Sequence, residues 1–321
     1  MKKINFLTSI ALISFLLFTA SCEKDDKGDM KKVEDMTITG YALYDQNFSI
    51  LADAVVKAGL AETLDGNGNF TVFSPTNDAF NDLFIQLGVS GIADLSAETL
   101  TPILLYHVVG EEVLSSMLSE GYYSSLSSSQ GAYTSLLVNT TGGVKINNSA
   151  DVILADVNVS NGVIHVINKV LLPPTVVDAA VANSSFSTLV EAVVKAGLAA
   201  TLSGNGPFTI FAPTNQAFAS LFSALGVSGI ADLSAETLIP ILQYHVVSGN
   251  VRSTDLVEGS VPTLNGNIQV TLGASPAINT DAKIIATDVQ ETNGVVHVIE
   301  LIKCPEKTSG HFYCSYIVYV Y

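Results

Sequence analysis

FTVFSPTNDAF, residues 70–80, returns as FTIFAPTNQAF at residues 208–218. The correspondence runs without a gap from residues 48–109 onto residues 186–247. Its constant offset of 138 carries Phe73 onto Phe211 and His107 onto His245. About three quarters of the paired positions are identical. Solenoid repeats have periods of about 20–50 residues, so a period this long is a whole domain. One such domain must be able to do whatever the chain does, and the chain carries it in duplicate.

Within the repeated stretch, Phe70 to Phe73 is a short run of β-forming residues. Thr76 or Asn77 is then placed to cap a helix carrying Ala79, Phe80, Leu83 and Phe84. Upstream, Leu51, Ala54, Val55, Ala58 and Leu60 recur at helical spacing. The segment from Asp65 to Asn69 reads as a turn, with glycines for positive φ. Downstream, Ser96 with Glu98 in the following turn starts another helix, ending near Tyr106 and His107. Residues 163–167 form a dense β run after an Asn161-Gly162 turn. Helices gather in the first half of each copy and strands in the second, so each copy is α+β. The copies differ most between the Tyr-His pair and the last strand. His107 and His165 are 58 residues apart, whereas His245 and His297 are 52 apart. Copy one fills this interval with Tyr122, Tyr123 and Ser124 to Ser129, expected as a loop and as the place for functional differences between the copies.

The 321 residues accommodate two domains after a leader, with 48% hydrophobic and 14% charged residues, a globular composition. The net charge of −16 and a pI near 4.5 disfavour nucleic acid and anionic headgroups as ligands of the folded part. Solubility outside the cell also accounts for an acidic surface.

Residues 1–21 have the form of an export signal: Lys2 and Lys3, an apolar stretch from Phe6 to Phe18, then Thr19-Ala20-Ser21 before Cys22. The apolar stretch is too short for a membrane span. The placement of Cys22 resembles the bacterial lipobox, which implies lipidation there and a membrane contact through the anchor. Residues 22–35 are a polar tether. Lys24-Asp25-Asp26 resembles the signal that sends some Gram-negative lipoproteins to the outer face of the outer membrane. The expected location is therefore the bacterial outer membrane, at the cell surface or facing the periplasm. Copy one is expected over residues 36–172, a stiff Pro-Pro-Thr linker over 173–175, and copy two over 176–303. An atypical tail, 304–321, is aromatic and apolar, and Cys304 and Cys314 are able to close a disulfide there.

Three motifs in order, twice, resemble the fasciclin-like family. The first is the pair of stretches at 70–80 and 208–218. The second is Tyr106-His107 and Tyr244-His245. The third is NGVIHVI at 161–167 and NGVVHVI at 293–299. The resemblance covers most of residues 37–303. It implies two tandem domains, each a β-sheet wedge or sandwich flanked by helices. It also implies extracellular adhesion or matrix binding, without catalytic chemistry.

His107, His165, His245 and His297 each invite a metal or catalytic reading. Each lies in an apolar run with no second ligand at i+3 or i+4, which favours a buried, hydrogen-bonded imidazole. No Gly-x-Ser-x-Gly elbow occurs. The Asp65 turn lacks the glycine and glutamate of a calcium loop. No cofactor and no metal are expected. Asp156-Val157 and Asp288-Val289 sit just before the last strand. Their position resembles the Asp-Ile dipeptide that animal members use for integrin contact. The alternative is an aspartate that stabilises its own turn. The sequence thus predicts a non-enzymatic, surface-displayed adhesion protein for an extracellular protein or glycan. The competing reading is a carbohydrate- or small-ligand-binding lipoprotein of an envelope uptake system.

Overall fold

A computed structural model of the chain describes residues 32–305. The expected leader, Cys22, most of the tether, Cys314 and the tail from residue 306 lie outside the described residues. Cys304, inside them, is disulfide-bonded.

Copy one opens with three helices, α1 (Ile38–Tyr44), α2 (Ser49–Lys57) and α3 (Ala61–Leu64). Then come β1 (Phe70–Pro75), α4 (Asn77–Leu87), α5 (Ala97–Tyr106) and β2 (Val108–Val109). The strands β3 (Gly121–Ser129), β4 (Ala132–Asn139), β5 (Lys145–Ile146), β6 (Ala150–Val159) and β7 (Gly162–Ile167) complete it. Copy two repeats the order with α6 (Val176–Ala182), α7 (Ser187–Lys195), α8 (Ala199–Leu202), β8 (Phe208–Pro213), α9 (Asn215–Leu225) and α10 (Ala235–Tyr244). Its remaining strands are β9 (Val246–Ser248), β10 (Gly259–Thr263), β11 (Gly266–Thr271), β12 (Ala277–Ile278), β13 (Ala282–Glu291) and β14 (Gly294–Ile299). Each copy is α+β, as the pattern of residues predicted.

The repeated Pro-Thr-Asn divides its work between two side chains. Thr76 is the cap of α4, its hydroxyl accepting from the Ala79 amide. Asn77 instead ties α2 to α4: its Oδ1 accepts from the Ile50 amide, and its Nδ2 donates to the Gln46 carbonyl. Thr214 and Asn215 repeat both roles. The chain therefore turns from strand to helix with its orphan amides satisfied.

In copy one the strands join in a closed ring, β1 to β7 in order, with β7 returning parallel to β1. In copy two the circuit is open between β9 and β10. Every residue of β7 and β14 is buried. Ile164 and Val166 join the helices' core with Phe80, Leu100 and Leu104, while Ile167 joins Phe73, Tyr106 and Leu136 in a second core. A strand covered on both faces has to be apolar nearly throughout, which explains the run at 163–167, where the buried His165 has both nitrogens hydrogen-bonded. Residues 122–129, expected as a loop, lie in strand β3. Buried hydroxyls explain the difference: Ser125 bonds the Thr134 carbonyl and hydroxyl, and Thr134 bonds the Ser127 carbonyl. A serine-rich strand is stable where each hydroxyl has a partner.

The copies pack directly on one another. The Gln290 amide donates to Ser135 Oγ at 3.0 Å, Ser129 Oγ to the Thr292 carbonyl at 2.7 Å, and Asn183 Nδ2 to the Tyr122 hydroxyl at 2.9 Å. Glu291, at the end of β13, is 1% exposed and its Oε2 has no hydrogen-bond partner. Val159 holds the matching place at the end of β6, each residue pairing with the glycine that opens the next strand. Burial, reinforced by the charge of Asp178, pushes the Glu291 carboxyl well above its ordinary 4.5. A carboxyl whose pKa is raised on folding contributes its full stability below the unfolded value and loses it as pH rises toward the folded value. Thermal unfolding of Glu291→Gln should therefore gain on the wild type steadily above pH 4.5. A gap in Tm that stays constant from pH 4.5 to 8 would refute this assignment.

Candidate functional site

The loop that follows β2 is held against the sheet by three side chains. Thr71 on β1 donates its hydroxyl to the Glu111 carbonyl at 2.7 Å and accepts from the Val113 amide at 2.8 Å. His165 on β7 binds the Val113 carbonyl through Nε2 at 2.9 Å. Asp156 on β6 takes the Ser115 amide on Oδ1 at 2.7 Å and the Ser115 hydroxyl on Oδ2. Copy two repeats the set with Thr209, His297 and Asp288 holding Val251 and Ser253.

Local backbone geometry makes this possible. β6 carries a register shift between Leu154 and Val157, and β13 one between Ala286 and Val289. Asp156 and Asp288 occupy these bulges at φ of 59° and 61°, a left-handed conformation that aspartate tolerates better than most residues. The bulge lets the Asp156 amide donate to His165 Nδ1 at 3.2 Å. Val157 and Val289 turn into the helical cores instead. The Asp156 side chain keeps 37% of its surface in solvent. Burial pushes its pKa up, but the two bonds from Ser115 outweigh this and hold the carboxyl below its ordinary value. The group is a charged, half-exposed acid at neutral pH. The Ser115 hydroxyl donates to the Asp156 carboxylate, and both His165 nitrogens are engaged by backbone, so no imidazole is placed to take its proton.

The second pair of histidines lies deeper. His107 is 2% exposed; its Nδ1 donates to the Ile103 carbonyl and its Nε2 accepts from the Leu171 amide, each at 2.8 Å. His245 bonds the Ile241 carbonyl and the Lys303 amide in the same way. Each ring is thereby fixed as a neutral tautomer that joins the end of a helix to the segment after the last strand. Burial, opposed by the bond to the helix carbonyl, pushes both from the ordinary 6.5 down to about 4. Tyr106 and Tyr244 send their hydroxyls to the Ser135 and Asn267 carbonyls and accept from Asn147 and Asn279. Among the described residues no group of three or more His, Cys, Asp or Glu is placed to hold a metal ion. None of their helices is long and apolar enough to cross a membrane.

Sequence reasoning singled out the aspartates but missed Ser115 and Ser253. Their signal was present, since Val113, Ser115 and Leu118 recur at the 138 offset as Val251, Ser253 and Leu256 inside an otherwise diverged interval. It also missed Ile153 and Ile285, three residues before each aspartate. These are 57% and 56% exposed, a large apolar side chain left in solvent at the same place in both copies.

Two α+β domains in tandem, each with a helix capped from a Pro-Thr-Asn strand end, a Tyr-His centre and an Asn-Gly motif before the last strand, define one class of module. A family model, Fasciclin domain, matches residues 46–173 and 184–302, and the chain belongs to this family. The pig (Sus scrofa) transforming growth factor-beta-induced protein ig-h3 is 30% identical over 266 residues, which are 79% of this chain and 37% of that protein. Protein sll1483 of Synechocystis is 39% identical over 132 residues, 41% of this chain and 73% of that one. A solved FAS1 domain pair from the insect cell adhesion molecule Fasciclin I aligns with a TM-score of 0.45 and 20% identity, over 82% of this chain and 95% of that chain.

Proposed function

We propose that the protein is a non-catalytic adhesion module, displaying two fasciclin domains from a lipid anchor at Cys22 on the bacterial outer membrane and binding an extracellular protein or glycan. Family membership carries this reading, because the fasciclin resemblance implies adhesion or matrix binding. Within each domain the proposed contact edge is the bulged strand, with Ile153 and Asp156 in copy one and Ile285 and Asp288 in copy two. A half-exposed carboxylate three residues along the strand from an exposed isoleucine offers both charge and apolar area to a partner. Two such edges on one tethered chain raise avidity for a multivalent surface.

The test is an array of matrix proteins and glycans probed with the wild type and two double variants. Ile153→Ser with Ile285→Ser should stay folded, since exposed substitutions change stability by about 0.5 kcal/mol or less, and should lose attachment. Asp156→Ala with Asp288→Ala should also lose attachment and in addition unfold more easily, by roughly 1–3 kcal/mol per site, because Ser115 and Ser253 lose their acceptors. Full attachment by the folded isoleucine variant removes this edge. Cys22→Ser should release the chain from membranes, and unchanged membrane fractionation argues against the anchor.

A further inference from the structure

Helix α6 takes the place of α1 over the same seven positions, with Thr175 capping it as Thr37 caps α1. The two helices share only one identical residue of seven, Ala42 and Ala180, and the exchange that changes volume most in the core is at Tyr41. Tyr41 in α1 is 8% exposed. Its ring centroid lies 5.8 Å from that of Phe48, and its hydroxyl donates to Asp45 Oδ2 at 3.4 Å. At the 138 offset Tyr41 becomes Ala179, Asp45 becomes Asn183, and Phe48 stays phenylalanine as Phe186.

The volume of the missing ring is not refilled by copy two. An apolar cavity of about 90 Å³ lies against Ala179, Phe186, Leu189 and Val193. Its lining also includes Val181 and Val194, each 63% exposed, so it reaches the surface. Water is a poor occupant, since a buried water needs about two to four polar partners. The imidazole of His245 touches the cavity but spends both nitrogens on Ile241 and Lys303. The other polar group is at the rim. Tyr122 of copy one also lines the cavity, and its hydroxyl meets Asn183, which stands where Asp45 receives the Tyr41 hydroxyl.

We propose that this cavity is a binding site for a small phenolic ring. Copy one is the template for the ligand: it fills the corresponding space with a phenol and hydrogen-bonds that phenol's hydroxyl at the residue matching Asn183. Copy two keeps the apolar walls but has no ring of its own there, and its Asn183 already holds the Tyr122 hydroxyl, which is left at the cavity as the polar group for the ligand. Apolar cavities of this order in protein cores stay dry and take up single aromatic molecules. The rim residue Tyr122 belongs to the other copy, so an occupied site also bridges the two domains. The site is distinct from the exposed Ile285 and Asp288 of the adhesive edge, although their neighbour Val289 on β13 lines it.

The experiment is calorimetric titration of the full chain with p-cresol, with thermal unfolding in parallel. The wild type should bind one equivalent and rise in Tm. Ala179→Tyr, which copies copy one, should lose binding, and Tyr41→Ala should gain a second equivalent. Toluene, without the hydroxyl, should bind about tenfold more weakly than p-cresol. Should Ala179→Tyr not fold, Ala179→Leu half-fills the space and should weaken p-cresol by about tenfold or more. The absence of saturable binding to the wild type overturns the proposal. Undiminished binding by a folded Ala179 variant does so too, and equal affinity for toluene overturns the phenolic assignment.

Discussion

Moving from pH 7 to pH 5 should cost the protein about 4 kcal/mol of stability through His107 and His245 alone. Each imidazole is held in one neutral tautomer, with a carbonyl on one nitrogen and an amide N–H on the other. Adding a proton sets N–H against N–H in a buried site. Burial takes both groups from 6.5 to about 4 on folding. A group whose pKa is depressed contributes its stability above the unfolded value and loses it as pH falls through the folded value, so the window is pH 6.5 down to about 4. The linkage relation gives about 2 kcal/mol per histidine between pH 7 and 5. Burial also lowers His297, which adds to the same trend. Denaturant unfolding at half-unit pH steps measures this directly. Single His107→Ala or His245→Ala variants should lose roughly 1–3 kcal/mol at pH 7. The double variant should have lost most of the slope between pH 6.5 and 5, and a double variant with the wild-type slope would show that the buried imidazoles are not its source.

Gly162→Ala and Gly294→Ala should each cost about 4 kcal/mol or more, among the largest effects a single methyl group can have in this chain. Gly162 opens β7 opposite Phe70 in the parallel pair, and Gly294 opens β14 opposite Phe208. A Cβ at Gly162 would stand 2.1 Å from the Phe70 carbonyl oxygen, and one at Gly294 2.2 Å from that of Phe208. The obstacle is backbone inside a fully paired strand, so no rotamer relieves it. The strands must separate, and both cores meet at that strand. Gly131→Ala is the control: its φ is +79° but nothing lies within 4 Å of the added carbon, so it should cost only about 1 kcal/mol. Comparable losses at Gly162 and Gly131 in chemical denaturation would mean that close strand approach is not what requires the glycine.

These glycines also show how a motif reads differently in sequence and in space. Asn161-Gly162 looked like the turn itself. The two-residue connection is Ser160-Asn161, with Val159 pairing Gly162 across it. Asn161 has a longer reach: its Oδ1 takes the Ile38 amide and its Nδ2 donates to the Leu64 carbonyl, 97 residues away. Hairpin propensity acts over a few residues and is legible along the chain, whereas a staple between distant segments leaves no periodic trace.

The candidate site divides in the same way. Repetition and the resemblance to the Asp-Ile dipeptide picked out Asp156 and Asp288, because two copies kept a charge in a diverged interval. Their partners Ser115 and Ser253 stand 41 and 35 residues away, and only the fold brings them into contact. That contact changes the meaning of the charge, which both faces solvent and holds a loop.

By itself the sequence determined the duplication, the α+β class and the helix starts, at Thr76 or Asn77 and at Ser96. Periodicity and capping are local, and a domain compared with its own copy exposes them twice. Only the tertiary structure decided that residues 121–129 are a strand, that copy one closes its ring while copy two does not, and that Glu291 is buried between the domains. It alone decided that the exchange of Tyr41 for Ala179 leaves a cavity rather than a repacked core. Each of these depends on whether distant side chains fill the space or satisfy the polar atoms of a neighbour, a question of volume and hydrogen bonding that no window along the chain contains.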